Sequence, residues 1–355
     1  MVLGSVFRPP MVGLDIGSSG VKAVALRRGR SGWSLVAAGE ASLPDGSVRD
    51  GAATEPTAVS EVVSQLLDSL KLKRARVAAA LSGHAVIVKR LSLPAMSQAE
   101  LNEAIPWEAE QYIPFDLSEV QLDYQVVGGD GDAAKNTLDV LLVAAKRDRI
   151  DDRTGVITQS GRKPVVLDIE AFALANAYRM NYPERADALT ALVHVGHGIT
   201  ILCLLENGEP VFTRDISIGG QIHLDAITRE LGPTGIDEAA ARRILGGQFP
   251  ADLSADQVAA VLREASAQLV LEVRKTVDFY RATAPVEKVS RVVLSGGAYQ
   301  AVGLVDLLAS EFGAPVDVFD PFRRVTRSAR TIGVDVSGPA YAVAVGLAMR
   351  QEGDR

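Results

Sequence analysis

Hydrophobic and polar positions alternate from Met11 to Leu26, MVGLDIGSSGVKAVAL, in a pattern that predicts two strands joined by a tight hairpin. Val12, Leu14 and Ile16 alternate with smaller or polar neighbours, an Asp-Ile-Gly-Ser-Ser-Gly run interrupts them, and Val21, Ala23 and Ala25 resume the period of two. Asp15 closes the first strand, the turn Gly17-Ser18-Ser19 offers backbone N–H groups and two hydroxyls, and Lys22 follows. Successive N–H groups in such a turn form a concave anion site; a lysine adds a point charge for phosphate, and an aspartate suits a hydrated magnesium ion. An ordinary glycine-serine hairpin with a surface lysine accounts for the same residues.

The pattern returns half a chain later. Ala191 to Leu205, ALVHVGHGITILCLL, is again strand, glycine turn, strand, with His194 over Asp15, Gly196 over Gly17, His197 over Ser18 and Gly198 over Ser19. Each copy continues into a further turn and strand, Arg28–Gly32 then Trp33–Ala37, and Glu206–Gly208 then Pro210–Ile216. A duplicated hairpin at this spacing implies two similar domains facing one another across a cleft, with both turns pointing into it. A third glycine turn, Ser295-Gly296-Gly297, ends the apolar strand Val292–Leu294.

Three such signatures in this order resemble the actin, Hsp70 and sugar-kinase ATPase superfamily, in which they are the phosphate-1, phosphate-2 and adenosine loops. Ser97 to Phe115, SQAELNEAIPWEAEQYIPF, together with SGHAVIVKRLSLP before it and LDVLLVAAKRD after it, narrows the resemblance to the PilM family. These are cytoplasmic actin-like, FtsA-related components of the type IV pilus platform, which supports twitching motility, and the likeness runs almost the whole chain to VAVGLAMR. It implies a two-domain α/β, RNase H-like duplicated fold: a first domain of 1–83 and 165–188 with a C-terminal helix, 340–355, packing back on it, an inserted subdomain of 84–164, and a second domain of 189–339.

The resemblance also implies one ATP–magnesium site, with Asp15 on hydrated magnesium, Gly17, Ser18, Ser19 and Lys22 on the phosphates, and Gly196, His197 and Gly198 closing from the other domain. Gly296 and Gly297 would lie against the adenosine, and Arg243 would substitute for the nucleoside-contacting Glu and Lys of related proteins. Glu170 stands about where actins place a water-positioning glutamine. Active members have an aspartate where His194 stands, so at most slow ATPase activity is expected, with nucleotide as a structural or switching ligand. Two histidines in a hairpin make a poor metal site.

The implied partner is the short cytoplasmic N-terminus of PilN, an inner-membrane protein, held by the inserted subdomain in a groove against the first domain. Pilus motor ATPases and a PilC-like platform protein are further candidates. A small-molecule kinase of the same superfamily and a filament-forming actin-like protein remain as alternatives.

Elsewhere the periodicity is easily read. Val59, Val62, Val63, Leu66, Leu67 and Leu70 follow helical spacing, the basic cluster Lys71 to Arg76 suits a helix C-terminus or an anionic partner, and Val77–Leu81 is a short buried strand. From His84 on, the order is strand, helix, strand, strand, helix, strand, that of a split βαβ unit, with GGDGD as a turn. Ser97 and Glu100 form a capping box, and Pro106 should kink the helix or end its first part. Trp107 and Tyr112 read as core under that helix or as binding anchors. Asp168 and Glu170 flank Ile169 at a helix mouth, where carboxylates suit the dipole or orient water. Gly219-Gly220 resembles the superfamily's second-domain base turn. Ile236–Gly247 and Ala255–Phe279 read as helices, and Ala340–Met349 as a small apolar one.

Composition narrows the reading. The 355 residues suffice for two domains, and a net charge of −7 argues against non-specific nucleic-acid binding. Cys203 lies in an apolar strand as a small core residue of a reducing compartment. No apolar run reaches the ~20 residues of a membrane span, the start lacks a signal-peptide pattern, and no apolar-basic stripe follows Met349. The expectation is a cytoplasmic protein recruited indirectly to the inner face of the inner membrane. No P-loop is present, and the near match to G-x-G-x-x-G at Gly196 fails at Ile201.

Overall fold

A computed structural model describes residues 11–30, 32–83, 86–127, 137–183, 189–231, 236–245, 248, 253–284, 288–327, 331–333 and 338–354. The first ten residues, His84, the turn at 128–132 and Gly247 lie outside the described residues.

The first hairpin grows into a meander. β1 (Met11–Ile16), β2 (Gly20–Gly29) and β3 (Gly32–Ser42) pair antiparallel, because short glycine turns leave no room for a crossover. A two-residue-strand hairpin, β4 (Val48–Arg49) and β5 (Ala52–Ala53), leads into α1 (Pro56–Ser69), the crossover that sets β6 (Arg76–Leu81) parallel to β1. An excursion follows, made of β7 (Val86–Pro94), α2 (Gln98–Glu110), β8 (Val120–Val126) and β9 (Thr137–Lys146). The chain then re-enters through α3 (Arg147–Gln159) and β10 (Lys163–Ile169), which lies parallel to β6.

After α4 (Glu170–Asn181) the plan repeats with β11 (Thr190–Val195), β12 (Thr200–Glu206) and β13 (Glu209–Ile216). Helices α5 (Gln221–Leu231), α6 (Glu238–Leu245) and α7 (Ala255–Thr283) come next. β14 (Arg291–Ser295), α8 (Leu304–Phe312) and β15 (Val316–Val318) complete the second sheet. The chain ends with β16 (Val325–Thr326) and α9 (Ala342–Ala348). The sheets run β10-β6-β1-β2-β3-β16 and β13-β12-β11-β14-β15, so five strands in each have the same order and directions. This is the duplicated actin-like α/β fold.

Between the sheets lie α4 and α9. Both are rich in alanine, and every residue of α9 is buried, as expected of a helix that is apolar all round. One core cluster joins Val24, Leu26 and Leu35 of the first sheet to Leu192, Ile201, Cys203 and Leu205 of the second through Leu174, Tyr178, Ala344 and Val345. The rings of Tyr178, Tyr182 and Phe319 pack at 5.3 to 6.1 Å within it. The outer faces are covered by α1 and α3 on one sheet and by α7 and α8 on the other.

The inserted unit keeps its own small core beneath α2. Its sheet is ordered β7-β9-β8, with β7 and β8 both antiparallel to β9; β7-α2-β8 is thus a split βαβ unit. The expected boundary at 164 falls too late. Val156 and Ile157 of α3 are buried with α1 against the first sheet, and β10 is a strand of that sheet. The second boundary also shifts, because β16 pairs with β3 and Ile332 bridges Ala37, returning these segments to the first sheet before residue 339.

The Ser97 capping box is present: Ser97 N–H donates to the Glu100 carboxylate at 2.7 Å and Glu100 N–H to Ser97 Oγ at 3.3 Å. Pro106 does not end α2; the carbonyl it deprives of a partner is that of exposed Asn102, open to solvent. Trp107, expected either as core or as a binding anchor, is 72% exposed, and Tyr112 lies under Lys89 at 5.2 Å from the ring centroid. Lys71 to Arg76 begins beyond the last turn of α1, and Arg76 pairs with Glu352 at 2.6 Å.

The tightest backbone approach in this core is at Gly346, where a Cβ would stand 1.8 Å from the Ala173 carbonyl oxygen. Gly346→Ala is expected to destabilise the protein by roughly 2–3 kcal/mol, the range of overpacked cores. Gly155→Ala, in α3 with nothing within 4 Å, is expected to be neutral or stabilising by about 0.5–1 kcal/mol. Urea denaturation of both variants tests whether the helix sandwich limits stability.

Candidate functional site

The matching strand orders put the two glycine turns at the same end of their sheets, facing across a cleft of about 1150 Å³. Gly17 N–H donates to Gly20 O at 3.0 Å and Gly196 N–H to Ile199 O at 2.9 Å, so the two turns are closed in the same way. They nearly touch: a Cβ on Gly198 would stand 3.0 Å from Ser18 Oγ. The Gly219-Gly220 turn supports the second one, with Gly220 and Gln221 N–H groups donating to Gly196 and His197 carbonyls at 2.8 Å each. Gly296 has a φ of 99°, and a Cβ there would stand 2.2 Å from the Val195 carbonyl oxygen, so only glycine lets this turn close on β11.

Asp15, Gly17, Ser18, Ser19, Lys22, Glu170, His194, Gly196, His197, Gly198 and Gly297 all line the cleft. Asp15 sits opposite Lys22 in the β1–β2 register, and the equivalent pair in the second domain is His194 opposite Ile201. The duplicated frame therefore carries its charge on one side only. Arg243 requires correction. It is exposed and off the cleft, whereas Arg242 lines the cleft and reaches Asp45 of the first domain at 2.9 Å. Adjacent helical positions differ by about 100°, so α6 can present only one of the two arginines inward. Gly296 buttresses the adenosine-loop turn without lining the cleft, and Asp168 turns away to Arg350 at 3.5 Å.

Three residues at the cleft floor escaped sequence reasoning. Arg153 of α3 is buried and donates to the carbonyls of Ile16 at 3.1 Å and Gly51 at 3.0 Å. Ser82 donates to the Glu170 carboxylate at 2.9 Å. Asp215 of β13 accepts the Gly83 N–H, linking the second domain to the junction before the inserted unit. Arg153 lies in a helix assigned from sequence to the insertion, and Asp215 lies in a strand that drew no site reading. A buried charge needs a partner, and that pairing becomes visible only once the chain is folded.

Electrostatics set this floor apart. Burial pushes Glu170 up to about 8, with the nearby negative charges of Asp15 and Asp215 adding to it, and Arg153 and the Ser82 hydroxyl opposing. Burial likewise raises Asp15, against the pull of Lys22 and Arg153. His194 is driven down to about 3 by burial and by Lys22; it is a neutral imidazole sharing a 3.0 Å hydrogen bond with Ser295 Oγ. Buried carboxylates that repel one another beside an anion-accepting turn form a donor set suited to a hydrated divalent cation with a phosphate chain. Among the described residues no group of three or more His, Cys, Asp or Glu could enclose a metal by itself. Phosphate oxygens and water would have to complete a magnesium shell, as is usual for that ion.

A second cavity of about 760 Å³ opens where the inserted unit meets the second domain. Leu91, Phe172, Val211, Phe212, Phe279 and Tyr280 give it an apolar, aromatic wall, with Lys89, Arg90 and Glu206 also lining it. It runs between β7 and β13, each the edge strand of its sheet. From the first domain only Phe172 of α4 contributes to it, so it is a different surface from the groove expected between the inserted unit and the first domain.

Comparison with known proteins adds context. The family model described as type IV pilus assembly protein PilM matches residues 13–352. A solved PilM-PilN type IV pilus biogenesis complex is similar at 27% identity and a TM-score of 0.81, over 96% of this chain and 98% of that one. The ethanolamine utilization protein EutJ from Carboxydothermus hydrogenoformans shares the fold at 17% identity and a TM-score of 0.58, over 98% and 92% of the two chains. MreB5 of Spiroplasma citri, solved bound to ADP, does so at 13% identity and 0.50, over 95% and 94%.

Because Glu170 is raised when folded, it keeps a proton that the unfolded chain releases, and stability is lost as pH climbs from about 4.5 to about 8. Glu170→Gln removes that slope. Relative to the parent, the variant is expected to gain stability progressively across this window and to hold the gain above it. Urea midpoints of the ligand-free proteins across the window check this; parallel curves would mean that Glu170 is not the group responsible.

Proposed function

This chain belongs to the PilM family of type IV pilus assembly proteins, and from that premise we propose that it is an ATP- and magnesium-binding adaptor. In this reading nucleotide sets the angle between the two actin-like domains and thereby shapes a groove for the cytoplasmic N-terminus of PilN. The observation that carries the nucleotide half is the meeting of two identically closed glycine turns above Asp15, Lys22 and Glu170. Backbone N–H groups of both turns, the Ser18 and Ser19 hydroxyls and the Lys22 ammonium hold the phosphates. Asp15 orients hydrated magnesium, which supplies charge neutralisation along the phosphate chain. Leu224, Leu245, Leu262, Ala298 and Ala301 offer an apolar wall for the base.

Hydrolysis is slow in this proposal. His194 stands where a second carboxylate would orient water or anchor the metal, and as a neutral buried imidazole it does neither. Glu170 is the remaining candidate to position water, and its protonation near neutral pH weakens it as a base.

For the partner, the likeness to a chain solved with PilN supports the same assignment here. The aromatic cavity between β7 and β13 is the surface we assign to the tail. Two unpaired strand edges suit an extended peptide, and Phe212, Phe279 and Tyr280 suit apolar side chains along it. Contact with motor ATPases or a PilC-like protein would follow from that recruitment. Among the described residues no helix is long and apolar enough to cross a membrane, so PilN would supply the link to the inner membrane.

The test follows γ-labelled Mg-ATP on the purified chain, reading retained nucleotide and released phosphate together. Retention with negligible release is expected, and Asp15→Ala should weaken retention by about ten- to a hundredfold. Phe212→Ala should weaken a PilN N-terminal peptide by about tenfold or more without altering retention. Rapid phosphate release would replace the adaptor with a cycling ATPase, and unchanged peptide affinity in Asp15→Ala would remove the proposed coupling.

A further inference from the structure

The corner of the first sheet farthest from the inserted unit carries a concentration of positive charge that the nucleotide cleft and the aromatic groove do not use. Arg27, Arg28 and Arg30 lie at the β2–β3 turn, and Arg323, Arg324 and Arg327 flank β16; all six are exposed. Strand register brings the groups together. Arg28 pairs with Trp33 and Trp33 with Val325, while Arg27 pairs with Ser34 and Ser34 with Thr326. The two sets are thus separated by two strand spacings, about 10 Å. This occurs on a chain whose net charge is −7, so the patch opposes the sign of the whole.

Aromatic rings hold three of these arginines. Arg28 lies 5.9 Å from the Trp33 ring centroid, Arg323 4.8 Å from that of Tyr182 and Arg327 5.2 Å from that of Phe322. A cation–π contact orients a guanidinium without neutralising it, so Arg28 and Arg323 keep their charge and N–H fork available to phosphate. A neighbouring carboxylate, Asp320, accepts the Phe322 N–H at 2.9 Å. Half-buried Trp33 at the centre of the cluster is a residue type that favours the headgroup region of bilayers.

We propose that this arginine corner binds an anionic phospholipid surface, giving the protein a direct, peripheral membrane contact in addition to any membrane-protein partner. A broad corner of exposed guanidinium groups around an amphipathic ring matches the plane of headgroup phosphates. The inference is independent of the nucleotide reading and of the peptide groove.

Flotation of the full chain with phosphatidylcholine vesicles, with and without phosphatidylglycerol, tests it. Recruitment is expected only with phosphatidylglycerol, and it should be reversed by raised salt. The combined Arg27→Ser, Arg28→Ser and Arg30→Ser variant should bind on the order of a hundredfold more weakly, from three lost surface charges. The same three positions changed to lysine should bind like the parent. So should Lys71→Ser, Lys73→Ser and Arg74→Ser combined, which removes exposed charge elsewhere. Failure of the parent to float, equal flotation of the serine triple, or equal loss in the Lys71–Arg74 variant each overturns the proposal. Failure of the parent would leave the patch to an acidic protein or nucleic-acid partner.

Discussion

Everything in this molecule depends on two helices that belong to both halves at once. α4 and α9 are buried on opposite sides by the two sheets, so the domains share one continuous core instead of meeting at a polar seam. Inter-domain surfaces that move freely are usually smaller and wetter. Here the shared core restrains sliding at one end, while at the other the turns of β1–β2 and β11–β12 approach through glycine and serine. The proposed change of opening angle would act at that end, where the ion pair between Asp45 and Arg242 spans the gap. Both partners are substantially exposed, so the pair itself contributes about 0–1 kcal/mol.

The inserted unit is attached at this sensitive end. One connection leaves β6 through Ser82 and Gly83, where Ser82 donates to Glu170 and Gly83 donates to Asp215 of the other domain. The other runs from β9 straight into α3, whose Arg153 braces the carbonyl of Ile16 beside the first turn. Both stems of the insertion therefore touch groups on the cleft floor. That gives the proposed link between nucleotide and peptide groove a physical route of few contacts, each made by a named hydrogen bond.

Much of this fold was readable from periodicity, because β1, β11 and the turn-proximal part of β2 and β12 are largely buried and leave a repeated apolar signature around their turns. Boundaries were harder. α3 has a weakly amphipathic sequence, and only its packing with α1 assigns it to the first sheet rather than to the insertion. β16 is two residues long, too short to carry any period. At the site, backbone turns were legible because glycine is needed there, whereas Arg242 against Arg243 was a question of helix rotation that a single sequence does not resolve. Asp215 and Arg153 acquire meaning only from long-range contacts, 132 and 137 residues apart in the chain. Trp107 shows the opposite difficulty, since apolar character alone does not separate a core residue from an exposed one.

The position of α9 has a consequence for how the protein comes into being. Residues 342–348 fill the space against β1, where a Cβ on Gly13 would stand 2.0 Å from the Ala344 carbonyl oxygen, yet β1 is synthesised well over half the sequence before α9. At roughly 5–20 residues per second, the nascent first sheet waits on the order of tens of seconds for the helix that completes its core. During that interval β1 and β6 expose one apolar face without its cover. The first sheet is therefore completed by a segment made long after its own strands, and its core closes only once α9 has been synthesised.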